Sequence, residues 1–458
     1  VRESQRMRAG RINQGNGALR EKVRSALPFR LTDCQEKVVT EIDKDMASRG
    51  RMLRLLQGDV GSGKTVVALF MMLNTIECGG QAAIMAPTEI LARQHLETLS
   101  TLSKDAGVRV LLLTGRDRGA ARETKLAALA NGDVDILVGT HALFQDDVIF
   151  SDLRAAVIDE QHRFGVHQRL LLSQKGDGVD TLVMTATPIP RSLTLTAFGD
   201  LDVSRLTEKP PGRTPVVTRI MSMDRHADVI DALDRALVDN AKIYWVCPLV
   251  EESETLDLAA AEERFTELNT RFKGVAALAH GQMKNAEKDE AVARFADGDA
   301  RILVATTVIE VGVDVPDATV MVIEHAERFG LAQLHQLRGR IGRGERPSTC
   351  LLLYGQPLTE TARARLKIVR ETEDGFRIAE EDLKIRGAGE MLGTRQSGMP
   401  QFKIADIALH GDLLATARND ARLILERDPE LKTQRGEALR VLLYLFERDA
   451  AVLNLRSG

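Results

Sequence analysis

Between Arg51 and Thr185 the chain alternates short apolar runs with longer helical or polar stretches. The runs at residues 52–56, 82–86, 110–113, 136–139, 155–158 and 182–185 read as strands, and the alternation predicts a mostly parallel sheet covered by helices. Lys209-Pro-Pro-Gly-Arg-Thr-Pro215 then interrupts the rhythm, as an exposed connector does. A second set of strand-like runs follows at 216–220, 243–247, 275–279, 302–305, 320–323 and 350–354. Two similar sheets in tandem imply a cleft between them. Beyond Gly355 the strand-like runs stop, and the rest is charged and helix-prone apart from a glycine-rich loop running from Arg386-Gly-Ala-Gly-Glu390 to Gly398. The fold class expected is therefore α/β, with two parallel-sheet domains and a C-terminal helical and loop appendix. The divisions fall at 1–28, 29–208, 209–356 and 357–458.

Composition narrows the class without naming it. At 458 residues, two or three domains are more natural than one. With 44% hydrophobic and 28% charged residues, wholesale disorder is excluded. The longest apolar run, residues 66–73, is far short of the roughly 18 residues a membrane span needs. The chain opens at Val1 on a polar, arginine-rich stretch without an apolar signal core, and is expected to be a piece of a longer protein. Cys34, Cys78, Cys247 and Cys350 are scattered, with no zinc-ligand spacing, which suits a reduced cytoplasmic location. The net charge of -4 hides eight Lys/Arg against two acids in residues 1–30. Only the local field of a cleft decides whether a polyanion binds.

Three motifs carry chemistry. Gly58-Asp-Val-Gly-Ser-Gly-Lys-Thr65 follows a strand and enters a helix. Small residues at Gly58, Gly61, Ser62 and Gly63 let backbone N–H groups wrap phosphates, Lys64 reaches the terminal phosphate oxygens, and the Thr65 hydroxyl suits magnesium. The apolar run 155–158 ends in Asp159-Glu160, at the edge where open α/β sheets bind ligands. Asp159 suits the hard cation, and Glu160 would orient and deprotonate the attacking water. ATP and magnesium are thus the expected cofactors. In the second half, Gln336-Leu-Arg-Gly-Arg-Ile-Gly-Arg343 makes Arg340 and Arg343 candidates to stabilise charge on a transferring phosphoryl group. A phosphate loop on one sheet and arginines on the other would let hydrolysis change the spacing of the sheets. The lone Trp245, beside Tyr244 in an expected strand, reads as core.

In this order the motifs resemble the superfamily 2 helicases and translocases. The further ones are Ala86-Pro-Thr-Glu-Ile-Leu-Ala-Arg-Gln-His95, Val138-Gly-Thr-His141, Thr185-Ala-Thr187, the stretch from Ala305 to Asp314 and the arginine motif. Within that superfamily, Asp159-Glu-Gln-His-Arg-Phe-Gly165, Thr185-Ala-Thr-Pro-Ile-Pro-Arg191, Gly199-Asp-Leu-Asp-Val203 and the loop from Arg386 to Gly398 resemble the RecG family over about residues 28 to 458. The resemblance implies two tandem RecA-like domains, an ATP-dependent motor on double-stranded DNA, and remodelling of branched DNA in recombination and repair. It implies adenine contacts from Phe29 and Gln35, and ribose or phosphate contacts from Gly312 and Asp314. Thr185 and Thr187 would couple the nucleotide and DNA sites. Pro87, Thr88, Arg93, Thr140 and His141 would line the DNA track on the first domain, with His280, Gly281 and Thr306 on the second, and Arg386 and Gln396 in a translocation loop. Implied partners are duplex and junction DNA and a single-stranded-DNA-binding protein, with a monomeric motor and no membrane. RecG proteins carry an N-terminal wedge domain, whereas only the basic segment 1–28, similar to their linker, precedes the motor here. A wedge-less motor is therefore expected, without fork specificity of its own. Competing readings are the motor of a transcription-repair coupling factor, an RNA helicase and an ATP-gated scaffold; no Asn-Lys-x-Asp element supports a GTPase.

Overall fold

The computed structural model describes residues 10–160, 175–187, 189–190, 201–210, 214–248, 254–306, 315, 317–344, 346–386 and 411–445. They fall in two compact units. One comprises residues 6–188 and 202–378 and holds both sheets; the other comprises 1–5, 189–201 and 379–458.

In the first half of the larger unit, α1 (Ala18–Ala26) and α2 (Asp33–Met46) precede β1 (Leu53–Gly58), α3 (Lys64–Glu77), β2 (Gln81–Met85), α4 (Glu89–Ser103) and β3 (Val110–Leu113). Then come α5 (Gly119–Ala130), β4 (Ile136–Gly139), β5 (Leu153–Ile158), β6 (Asp180–Thr185) and β7 (Asp202–Leu206). The seven strands are parallel, in the order β3-β4-β2-β5-β6-β1-β7. The second sheet uses β8 (Val216–Ser222), β9 (Lys242–Val246), β10 (Ala276–Ala279), β11 (Ile302–Ala305), β12 (Ala318–Ile323) and β13 (Ser348–Tyr354), also parallel, in the order β10-β11-β9-β12-β13-β8. Its helices are α6 (His226–Val238), α7 (Glu254–Arg271), α8 (Asn285–Ala296), α9 (Leu331–Arg338), α10 (Glu360–Glu371) and α11 (Gly375–Arg386). In the smaller unit, α12 (Gly411–Arg427) and α13 (Gln434–Leu445) follow.

Strands buried on both faces show as unbroken apolar runs, and so the expected strands recur with ends shifted by a residue or two. β7 has no such run. Asp202-Val-Ser-Arg-Leu206 is an edge strand with half-buried polar positions. The apolar stretch 66–73 lies in α3, whose residues from Val66 to Thr75 are all buried, because this helix is covered by the sheet on one side and by α1 and α2 on the other. Trp245 is fully buried in the second core, as expected, and its indole N–H donates to Glu324 Oε1 at 2.7 Å. α10 packs against β8, and the compact unit continues to Ile378 rather than ending near residue 356.

The described part of the basic N-terminal stretch, expected as a linker, is docked on the first sheet's domain. Val23 is fully buried, Gly15 and Gly17 backbone N–H groups donate to Asn74 and Glu77 at 2.8 and 2.9 Å, and Arg20 reaches both Glu77 and Asp43. Arg11 pairs with Asp152 and Arg24 with Glu36. Those guanidinium charges are thus committed to the protein's own acids. Asn13 donates to the buried Asp180 at 2.9 Å, and Asp180 also accepts from the Met52 N–H at 2.8 Å.

Burial pushes the Asp180 carboxyl up to about 7. The folded state therefore holds a proton there that the unfolded chain loses near pH 4, and the stabilisation, fully present below pH 4, is lost as pH rises through about 7. The slope in that window is about 1.4 kcal/mol per pH unit at most. Asp180→Asn is expected to flatten the fall in stability between pH 4 and 7, read as melting temperature against pH beside the unaltered chain. An unchanged slope would show that Asp180 is not the group that titrates.

Candidate nucleotide site

The site is assembled first by strand register. Gln57 of β1 pairs with Thr185 of β6, and Ile158 of β5 pairs with Val183 of β6. The phosphate loop, Thr185 and Asp159 therefore emerge side by side at the carboxyl edge of three adjacent strands, the edge where such sheets bind ligands. β6, which comes after the acidic pair in sequence and far from the phosphate loop, lies between the two motifs.

The loop needs its glycines where the backbone turns left-handed: Gly61 has φ 74° and Gly63 φ 86°. Gly63 caps the N-terminus of α3, whose first N–H groups favour an anion. A Cβ there would lie 2.2 Å from the Gln35 side chain. Lys64, half-buried, donates from Nζ to the carbonyls of Gly58 (2.7 Å) and Asp59 (3.0 Å). Burial pushes its ammonium pKa down, Glu160, Asp159 and Asp59 push it up, and Arg343 adds to the lowering.

Asp159 is buried at the end of β5. Its Oδ2 lies 2.8 Å from His95 Nε2, and its Oδ1 accepts the Glu160 backbone N–H at 3.0 Å. Burial works against its charge, but His95 and Lys64 hold the carboxyl below the ordinary aspartate range. Glu160 goes the other way: burial and the neighbouring Asp159 raise it, opposed by Lys64, a backbone hydrogen bond from Ala186 and Arg340. Its backbone is left-handed at φ 53°, a conformation that costs a non-glycine residue about 1–3 kcal/mol. Thr185 Oγ1 and Thr187 Oγ1 are 2.8 Å apart.

The second sheet supplies the other wall. α9 is capped by Gly339, where a Cβ would meet Val60 of the phosphate loop at 3.0 Å, so a larger residue would press on the loop. The arginines follow at once. Arg343 is near enough to act on Lys64, and Arg340 on Glu160. Charges from both sheets thus act on Lys64 and Glu160.

The donor set suits a magnesium nucleotide. Ser62 Oγ is buried in the loop without a hydrogen-bond partner among the described residues, and so can donate to phosphate. The Thr65 hydroxyl and the ionised Asp159 are hard oxygen ligands. No cluster of three or more His, Cys, Asp or Glu residues suited to a metal occurs among the described residues.

Other expected site residues fare unevenly. Phe29 is 44% exposed, on the surface where a base could stack. Gln35, expected to contact adenine, has its amide engaged within its own domain. As the third residue of α2 it closes a capping box with Thr32, its Oε1 accepting the Thr32 N–H at 2.9 Å, while its Nε2 donates to the Ser62 carbonyl at 2.9 Å. One end of the amide closes the capping box and the other holds the phosphate loop. Thr88 caps α4 by accepting the Leu91 N–H at 3.4 Å, and Pro87 precedes it at the end of β2. Thr140, buried, and His141, exposed, follow β4; Arg93 is exposed on α4. Thr306 and His280, both buried, and the exposed Gly281 follow β11 and β10, and Thr306 Oγ1 and His280 Nδ1 lack hydrogen-bond partners among the described residues. These residues occupy β4-β2 of the first sheet and β10-β11 of the second, beside rather than within the nucleotide pocket. Gly312, Asp314 and Gln396 lie outside the described residues, as does the side chain of Arg386, the last residue of α11. His95 was missed as a site residue. Its signal was its place at the end of the Ala86–His95 motif, but only the fold puts it on Asp159.

Comparison with known proteins identifies the assembly. Residues 32–196 match the DEAD/DEAH box helicase family, 228–345 the helicase conserved C-terminal domain, and 372–446 the C-terminal part of domain 3 of ATP-dependent DNA helicase RecG. The chain is 50% identical over 421 residues to the ATP-dependent DNA helicase RecG of Escherichia coli O157:H7, covering 91% of this chain and 61% of that protein. It is 50% identical over 415 residues to the Streptococcus pneumoniae RecG, covering 89% and 61%. A solved structure of RecG bound to a three-way DNA junction superposes with a TM-score of 0.76 at 44% identity, over 90% of this chain and 54% of that one. The Saccharomyces cerevisiae protein Dbp5, at 16% identity and a TM-score of 0.59, shares the fold. The chain spans about three fifths of the length of the curated relatives it matches. On its two parallel sheets, its helicase motifs and these matches, the chain belongs to the RecG family of superfamily 2 helicases.

Proposed function

We propose that the chain is the ATP-hydrolysing motor of a RecG-type enzyme, which moves along double-stranded DNA and, within the longer proteins it resembles, remodels branched DNA. The observation that carries this reading is the pocket split between two sheets: Lys64, Asp159 and Glu160 from one, Arg340 and Arg343 from the other, with charges close enough to perturb one another. Lys64 and the backbone of the loop bind and orient the triphosphate, Glu160 takes the proton of the attacking water, and the arginines stabilise charge on the phosphoryl group. Thr65 and Asp159 would hold magnesium, which supplies charge neutralisation at the phosphates. Because the arginines sit on the second sheet, hydrolysis and departure of the phosphate weaken the bond between the two sheets, and their spacing changes with nucleotide state.

Topology supports the expected DNA track. Pro87, Thr88, Thr140 and His141 on one sheet, with His280, Gly281 and Thr306 on the other, are displaced from the nucleotide pocket along each sheet, so one cleft serves both ligands. Gly312, Asp314, Arg386 and Gln396 keep the roles that the family pattern implies. Contacts of this kind are sequence-independent and weaken with salt. Relatives named as DNA helicases, and a RecG structure with a three-way junction, favour DNA over the RNA carried by the more distant Dbp5. Monomeric action, a single-stranded-DNA-binding protein partner and a cytoplasmic location belong to the same proposal; no described helix is long and apolar enough to cross a membrane.

ATP hydrolysis by this 458-residue chain, measured with linear duplex, three-way junction, four-way junction and duplex RNA, tests the reading. Stimulation by every DNA and not by RNA is expected, with a steep fall as salt rises. Stimulation by RNA alone would overturn the DNA assignment, and hydrolysis indifferent to all four would overturn the motor.

A further inference from the structure

Asp59 is the second residue of the phosphate loop, and the chemistry above gives it no task. Its side chain nevertheless makes two long-range contacts. Oδ1 lies 3.1 Å from His335 Nε2 in α9, and Oδ2 accepts the backbone N–H of Gly375, the first residue of α11, at 3.3 Å. His335 is buried, and its other nitrogen, Nδ1, faces the Arg338 guanidinium at 3.1 Å. Arg338 can only donate, so Nδ1 accepts, Nε2 carries the proton, and His335 donates to Asp59. Burial works against the Asp59 charge, but His335, the Gly375 N–H and Lys64 outweigh it and keep the carboxylate ionised.

The two partners lead to different working parts. α9 ends at Gly339, immediately before Arg340 and Arg343. α11 runs on in sequence into the glycine-rich loop that begins at Gly387. The start of α11 is held from other sides as well: Glu373 pairs with Lys209 and accepts the Val216 N–H, Asp374 caps the helix through the Phe376 N–H at 2.9 Å, and Arg205 of β7 lies over the Phe376 ring at 5.4 Å. Every group named here to Phe376 lies in the larger compact unit.

We propose that Asp59 is a positioning residue that couples the nucleotide to two elements at once, the arginine-bearing helix through His335 and the start of the translocation helix through the Gly375 N–H. The adjacent Gly58 and Asp59 carbonyls hold Lys64, so when Lys64 turns to a phosphate the loop beside Asp59 changes its bonding. A rigid carboxylate transmits that change to both helices. This coupling rests on the nucleotide half of the motor reading and not on the choice of nucleic acid.

Gly375→Pro isolates one arm. Gly375 occupies the first helical position after the Asp374 cap, where proline is well tolerated and removes only an N–H that the helix itself does not use. Gly375→Ala keeps the N–H and is the control. The measurement is amide hydrogen exchange at the start of α11 with and without AMP-PNP and magnesium, alongside AMP-PNP affinity and melting temperature for all three chains. In the unaltered chain and Gly375→Ala the nucleotide is expected to change exchange in this peptide; in Gly375→Pro the change falls about fivefold or more, the lower end of ordinary coupling between sites, while melting stays normal. A full response in Gly375→Pro, or bound AMP-PNP without response in the unaltered chain, overturns the coupling alone. AMP-PNP that fails to bind the unaltered chain overturns the nucleotide reading and the coupling with it. Neither result depends on DNA, so a failure of the nucleic-acid experiment is read separately.

Discussion

Arg343→Ala is expected to lower ATP hydrolysis by about 10³-fold or more while leaving ATP binding within a few-fold of the unaltered chain. The size follows from what an arginine does at a transferring phosphoryl group, where charge spreads over oxygens that a fixed guanidinium can meet in the transition state. Binding should survive because the groups proposed to hold the triphosphate, the loop, Lys64 and the start of α3, all belong to the first sheet. Removing Arg343 also removes a like charge acting on Lys64, whose ammonium is then easier to keep protonated. Arg343→Lys should recover little, since an ammonium lacks the planar fork. The measurements are turnover at saturating ATP and equilibrium binding of a nucleotide analogue. A loss confined to binding would place Arg343 on the ground-state nucleotide rather than on the reacting phosphoryl group.

Glu160→Gln should reduce turnover by about 10²–10⁴-fold, the range for a positioned general base. The substitution keeps the size of the side chain and an oxygen to accept the Ala186 N–H, and deletes only the basicity. Stability discriminates this role from a structural one. Burial and Asp159 already disfavour the Glu160 carboxylate, so the neutral amide should melt no lower than the parent chain. Lower turnover together with marked destabilisation would mean that Glu160 supports the fold. Turnover unchanged under DNA stimulation would end the proposed mechanism.

The two substitutions test opposite walls of one pocket, and the walls were not equally legible in the sequence. The first wall could be read directly. The phosphate loop is contiguous, its glycines answer a backbone requirement at Gly61 and Gly63, and the acidic pair directly follows the apolar run 155–158 of β5. A strand with a continuous apolar run announces itself, and one that mixes polar and apolar positions, as Asp202-Val-Ser-Arg-Leu206 does, does not. β7, half-exposed and polar, went unread for that reason. The docking of the N-terminal segment was not legible, because arginines look alike in sequence whether they face a phosphate or, as Arg11, Arg20 and Arg24 do, an acid of their own domain. Gln35 has the residue type to read a base, yet a local capping box and the Ser62 carbonyl engage its amide.

The sequence alone determined the α/β class, the two tandem sheets, the loop that binds phosphate and the residue types that hydrolyse it, because each depends on local periodicity or on neighbours within one turn. Only the tertiary structure decided which distant groups share a pocket: Thr185 beside the loop by strand register, His95 on Asp159, the arginines against Lys64 and Glu160, and Asp59 joined to His335 and Gly375 across 276 and 316 residues of sequence. Side-chain chemistry is carried by each residue, but electrostatics and hydrogen bonding act over a few ångströms of space, and that distance is set by how the sheets order their strands and meet one another.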